Sequence, residues 1–249
     1  AKTPTVTVKD GTKVLTPDVD YTYEITNNTN AGEATVTVTC IGNYTGTKTT
    51  TFTITPAPTS ISYTEPGSMV KGNQLSFVAI SSQELEGTWQ VTTDSNVNLT
   101  SGNANDASQT TITYTALNAG TANISITFTP NSSNYQPITT SYTQTITDAN
   151  FTVNGINYTT LAEAIEGAPS GSTIELNKSI TDDSPVTIDK EIILDLGSYT
   201  LTREATPINV PATGNLTILG TSGTLVSTTN TINLTGGTVT VGSTDGTNN

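Results

Sequence analysis

The stretch YTTLAEAIEGAPSGSTIEL, Tyr158 to Leu176, is the one place in this chain of 249 residues whose pattern reads as a helix. Thr160-Leu161-Ala162-Glu163 fits a capping box, with the Thr160 hydroxyl accepting from the Glu163 amide and the Glu163 carboxylate reaching back to the cap. Leu161, Ala164, Ile165 and Ala168 follow at helical spacing on one face, and Gly167 and Pro169 end the element. Two turns cannot stand alone in water. The apolar stripe must therefore be laid on another surface, and the sequence on either side has to supply it.

Downstream, aliphatic residues recur at a shared long period. Ile193, Leu216 and Val239 lie 23 residues apart, Val186, Ile208 and Ile232 repeat at nearly that interval, and Leu201 is followed by Leu225. Three staggered ladders with one period predict a parallel coil of three short strands per turn, each turn stacking its inward aliphatics on the one below. Glycine and asparagine at the corners fit a left-handed backbone. A stack of this kind has an open end with unpaired strand edges and an apolar cross-section, and the helix is expected to lie over it. Three turns fit before Asn249, and the tail STDGTNN, residues 243–249, has no capping character.

Upstream the chain alternates Thr with Val or Ile, as in TPTVTV, ATVTVT and TANISITFT, the period of strands with one buried face. Strands are expected near Thr3 to Lys9, Tyr21 to Thr26, Ala34 to Cys40 and Thr47 to Thr55, broken by turn chemistry at Asp10-Gly11, Asn27-Asn28 and Gly42-Asn43. Pro56-Ala57-Pro58 closes this unit, because proline cannot donate to a ladder. The expected domains are 1–56, with a first strand missing at its front, then 57–147, then 148–249.

Composition excludes several functions. Eight Lys and Arg stand against 21 Asp and Glu, for a net charge of -13, and Arg203 is the sole arginine. Such a chain lacks the basic patch that phosphate backbones or anionic membranes require, so nucleic acid is not an expected partner. Cys40 is alone and there is no histidine. This removes intrachain disulfides, thiolate metal sites and the commonest general base. No apolar run is long enough for a membrane-spanning helix. The opening at Ala1, without a leader, suggests an internal segment of a longer exported protein.

Two resemblances follow from quoted residues. VKDGTKVLTPDVDYTYEITNNTNAGEATVTVTCIGNYTGTKTTTFTI, Val8 to Ile54, resembles an immunoglobulin-like repeat of large bacterial surface proteins, which implies packing or corner roles for Tyr21, Tyr23 and Tyr44. EGTWQV followed by NAGTANISITFTPNSSNY resembles a further module of the same proteins. Gly155 to Leu201 is similar to the start of right-handed β-helix domains of the pectate-lyase-like class, where a short helix precedes the first coil. The resemblance implies an all-β chain: two immunoglobulin-like β-sandwich modules and the capped start of a right-handed parallel β-helix.

Candidate site residues are few. Trp89 is either a sugar-stacking platform, if exposed, or a core residue of a sandwich strand, and Tyr135 a corner tyrosine or a binding residue. β-helix lyases and glycosidases need carboxylates gathered on one exposed sheet. Asp182, Asp183, Asp189, Glu191 and Asp195 are the carboxylates available, with Asp182 and Asp183 read as solvated turn residues and Asp195 as a corner bond. Lys9, Lys13, Lys48 and Lys71 could donate to an isopeptide crosslink, but no partner carboxylate is marked. Glycosylation-type triplets such as NYT and NLT carry little weight in a chain so rich in Asn and Thr. The sequence thus predicts no catalytic, cofactor-binding or metal residue. It predicts a non-catalytic stalk or adhesive display segment, secreted or attached to a bacterial cell wall, with glycans or surface proteins as partners. The alternatives are accessory domains and first coils of an exported carbohydrate-active enzyme, or a glycan-binding module.

Overall fold

The computed structural model describes residues 1–228 and 231–242; the tail STDGTNN lies outside them. Strands make up 55% of the chain and helix 4%, so the protein is all-β. Three hydrophobic clusters follow one another along the sequence.

In the N-terminal part a three-stranded antiparallel sheet places Gly32–Cys40 between Tyr21–Thr26 and Thr47–Ile54. Alternation sends Tyr21, Ala34, Val36 and Val38 to the covered face and a dense set of threonines to the other. The turn at Gly42 needs glycine twice over: its φ is +64°, and an added Cβ would stand 2.8 Å from the Val19 carbonyl oxygen. The expected first strand, Thr3 to Lys9, does not form. Only Lys9–Asp10 pairs, with Lys13–Val14 in a two-residue hairpin, while Val6 and Val8 pack on the sheet with no strand among the described residues beside them. Alternation alone predicted burial there correctly and pairing wrongly, because pairing needs a neighbour that this region lacks. Tyr23 is 47% exposed, with its ring 6.4 Å from that of the buried Tyr21.

The middle part is two antiparallel sheets face to face. One has the order Val97–Ser101, Gln109–Ala116, Gln74–Ser81, Ile61–Ser62; the other Ala104–Ala107, Gly87–Thr93, Gly120–Pro130, Ile138–Thr147, Met69–Val70, the last pairing being parallel. Trp89 stands opposite Phe128 and Val91 opposite Ile126, so the inward faces of neighbouring strands fill the core in rows.

The C-terminal part changes principle. Ser172–Leu176, Glu191–Asp195, Asn215–Leu219 and Thr238–Val241 run parallel in one sheet. Ile180–Thr181, Thr200–Arg203 and Thr224–Ser227 form a second parallel ladder, and Val186–Thr187, Ile208–Pro211 and Ile232–Thr235 a third. Two ladders match the sequence reading in register: Val186 under Ile208 under Ile232, and Leu201 under Leu225. The third is displaced by one residue, since Ile192, not Ile193, lies under Leu216 and Val239. Leu194 and Leu196 are buried, so strand parity turns Ile192 inward with them and leaves Ile193 on the outer face beside Asp195.

The helix Leu161–Gly167 carries the expected capping box, and Leu161, Ala164, Ile165 and Ala168 are all buried in the same cluster as the stacked aliphatics. Burying Leu161 and Ile165 contributes roughly 1.5–3 kcal/mol each, ample for a helix too short to persist alone. It does not close the end by itself. Phe151–Val153 pairs antiparallel with the first parallel strand, Ser172–Leu176, and Ile156–Tyr158 pairs with Phe151–Val153 in turn. A hairpin thus covers the strand edge while the helix covers the apolar cross-section. At the opposite end of this sheet Val241 is 67% exposed, whereas Leu194 and Ile174, two and three levels below it, are buried.

Candidate functional site

The strongest polar constellation lies inside the parallel stack, and it includes Asp182, which the sequence reading makes a solvated turn residue. Asp182 is 8% exposed and Arg203 is 0% exposed. The two occupy successive levels of one ladder, next to the Ile180–Leu201 pair, and parity with buried Leu201 and partly buried Ile180 points both inward. Arg203 Nε donates to the Thr206 carbonyl at 3.1 Å, Nη1 to the Asp182 carbonyl at 2.6 Å and Nη2 to the Ser184 carbonyl at 2.7 Å. Only a guanidinium offers donors in a rigid fork that can serve three backbone oxygens around one corner. Its charge is met by the Asp182 carboxylate, 3.7 Å away. That carboxylate accepts from the Ser184 amide at 2.8 Å and from the first helical amide, Leu161, while Ser184 Oγ accepts from Ala162. Burial pulls the guanidinium pKa down, and the carboxylates of Asp182 and Asp183 oppose that. One network therefore ties the covering helix to two levels of coil.

The remaining carboxylates do not converge. Asp183 accepts from the Glu204 and Ala205 amides, and these backbone bonds, Ala205 first, hold its pKa below the usual carboxylate range. Asp195 accepts from the Gly197 amide at 2.9 Å, the corner bond expected of it. Asp189 and Glu191 are exposed. Among the described residues no group of three or more His, Cys, Asp or Glu is placed to hold a metal ion. Lys13 donates to the Tyr44 hydroxyl at 3.0 Å and Lys9, Lys48 and Lys71 are exposed.

Trp89 cannot be a sugar platform. It is 1% exposed, its ring lies 4.6 Å from that of Phe128, and Nε1 donates to the Ala107 carbonyl at 2.9 Å. Nearby, the Tyr142 hydroxyl meets that of Tyr114 at 2.9 Å, and Tyr114 donates to Gln144 Oε1 at 2.7 Å. Burial raises the pKa of both phenols, of Tyr142 far above the normal tyrosine value. Tyr135 is half-buried in a turn bridged to Ala57, consistent with a corner residue.

Asparagines join the three parts. Asn134 Oδ1 accepts from the Ala31 amide at 2.6 Å, its Nδ2 donates to Asn30 at 3.0 Å, and its carbonyl takes the Ala57 amide at 2.7 Å. At the second joint the Asn73 carboxamide pairs twice with the Asn157 backbone, accepting its amide and donating to its carbonyl, each at 2.8 Å. Asn157 Nδ2 in turn donates to the Lys71 carbonyl at 2.7 Å. A side-chain amide presents a donor nitrogen and an acceptor oxygen in the spacing of a peptide group, so it can extend a ladder across a joint. Asn30, Asn73 and Asn134 stand away from the unit boundaries in sequence, and composition alone does not say which Asn faces which.

No protein-family model matches this chain, and no curated protein does. Among solved structures, domains 4 and 5 of the S-layer protein SbsC align at 22% identity over 58% of this chain and 80% of that one, with a TM-score of 0.30. A longer structure of the same S-layer protein, rSbsC(31-844), aligns at 21% identity over 57% of this chain and 23% of that one, with a TM-score of 0.29. A β-glycosidase from Bacteroides vulgatus aligns at 7% identity over 46% and 17%, with a TM-score of 0.29. These superpositions are too partial to carry an argument about fold or activity. No helix among the described residues is long and apolar enough to cross a membrane.

Proposed function

We propose that this chain is a non-catalytic spacer and display segment of a bacterial secreted or cell-wall-attached surface protein. Its first two parts are read as immunoglobulin-like modules, 1–56 and 57–147, and residues 148–249 as the capped start of a right-handed parallel β-helix. The observation that carries this reading is serial construction: three separate cores joined end to end by the Asn134 and Asn73–Asn157 hydrogen bonds. A chain built to hold things apart spends its polar groups on joints and corners, and that is where the sole arginine and Asp182 are spent. Antibodies raised against this chain should label intact, unpermeabilised cells of the bacterium that makes it. Purified chain should release no reducing ends from a panel of plant, host and bacterial polysaccharides. Labelling confined to the cytoplasm, or sugar release that follows the protein through purification, would overturn the proposal.

A further inference from the structure

The three-stranded sheet of the N-terminal part has an apolar face that is thinly covered. Tyr21, Val36, Val38 and Phe52 build it, and the segment 3–8 crosses it, with Val6 and Val8 packed down and the Tyr21 hydroxyl donating to the Val6 carbonyl at 3.2 Å. Backbone bonds tie that segment at its two ends only, from the Lys2 amide to the Asn28 carbonyl and from the Leu15 amide to the Val8 carbonyl. Between them the sequence TPTV has the alternation of a strand and no strand partner among the described residues. Opposite, Thr47–Ile54 is hydrogen-bonded along one side only, to Gly32–Cys40. A groove of about 460 Å³ runs between the segment and this edge, floored by Val36, Val38 and Phe52. Lys9 and Lys48 line it too, two of only eight cations in a chain with 21 acidic residues.

We propose that this groove docks an extended strand of another polypeptide, aliphatic at alternate positions and bearing carboxylates that meet Lys9 and Lys48. The free edge of Thr47–Ile54 and segment 3–8, apart from Pro4 and the occupied Val6 and Val8 carbonyls, have no strand partner among the described residues, so an added strand gains ladder hydrogen bonds, and its alternate side chains reach the aliphatic floor. A lysine on an edge strand ordinarily discourages pairing. Here the two lysines select an acidic strand over a neutral or basic one. A second copy is the poorer occupant, because two chains of net charge -13 repel each other on approach. The inference does not depend on the surface-display reading.

The probe is a labelled nine-residue peptide of alternating Val and Thr with Asp at each end, titrated into the whole chain and followed by fluorescence anisotropy. Binding is expected, and the same peptide with Lys at each end should bind at least tenfold more weakly. In the double variant Lys9→Glu and Lys48→Glu that preference should reverse, which separates charge recognition from misfolding. Hydrogen exchange of the Thr5 to Val8 amides should slow at least tenfold on saturation. The proposal is overturned by no binding, by equal binding of both peptides, by binding that leaves those amides unprotected, or by self-association of the chain through this groove that excludes the acidic peptide.

Discussion

The middle and C-terminal parts bury polar groups in opposite ways. In the two-sheet core the network is neutral: Tyr142, Tyr114 and Gln144 pass hydrogen bonds between sheet faces whose backbones are already paired. In the parallel stack it is ionic, and Arg203 spends its donors on backbone carbonyls at a corner that no strand pairs. Antiparallel sheets satisfy their own main chain and need side chains only to fill and orient. A coil that turns three times per level leaves carbonyls pointing inward at its corners, and an unmet one costs about 1–3 kcal/mol.

The largest test of that contrast removes the guanidinium. Arg203→Met should cost roughly 3–5 kcal/mol, because it strands a buried carboxylate and three carbonyls. Urea unfolding followed by hydrogen exchange should show the loss at the Leu161 amide and the parallel ladders, with the middle part unchanged; equal loss in both parts would erase the distinction. A double variant, Arg203→Met with Asp182→Leu, should recover only part of it, since the carbonyls stay unmet.

Alkali and acid should then attack different parts. The buried Tyr142 and Tyr114 phenols have pKa values raised above the unfolded value near 10, so their neutral forms favour the fold. The stability they contribute is complete below about pH 10 and is lost as pH rises beyond it. In the C-terminal part Glu163 is held down, chiefly by the Thr159 hydroxyl and then by the Thr160 and Thr159 amides, and Asp183 by the Ala205 and Glu204 amides. Their contribution is complete above the unfolded carboxylate range near pH 4 and is lost as pH falls through it. Tryptophan fluorescence reports the middle part through Trp89, and exchange at the helix reports the other. A single transition common to both at each extreme of pH would contradict this assignment.

Smaller effects sharpen the picture. Thr160→Ala removes half of the capping box and should cost about 1 kcal/mol, visible as faster exchange in the helix and absent from the middle part. Asn73→Ala deletes two hydrogen bonds across the second joint, worth about 1 kcal/mol each at most. Small-angle scattering should show a broader distribution of maximum dimension, while the melting of each part stays put.

By itself the sequence determined the all-β class, the helix with its cap, the turns at Asp10-Gly11 and Gly42, and two of the three aliphatic ladders. These are signals of local period and backbone conformation, carried by residues a few positions apart. Parity would also have turned Ile192, Asp182 and Arg203 inward, through Leu194, Ile180 and Leu201, had it been given more weight than charge. Only the tertiary structure decided that segment 3–8 lacks a strand partner among the described residues, that a hairpin shares the covering of the stack with the helix, and which asparagines meet across the joints. Each depends on what stands opposite a residue far away in the chain, and alternation fixes which face is buried without fixing the neighbour.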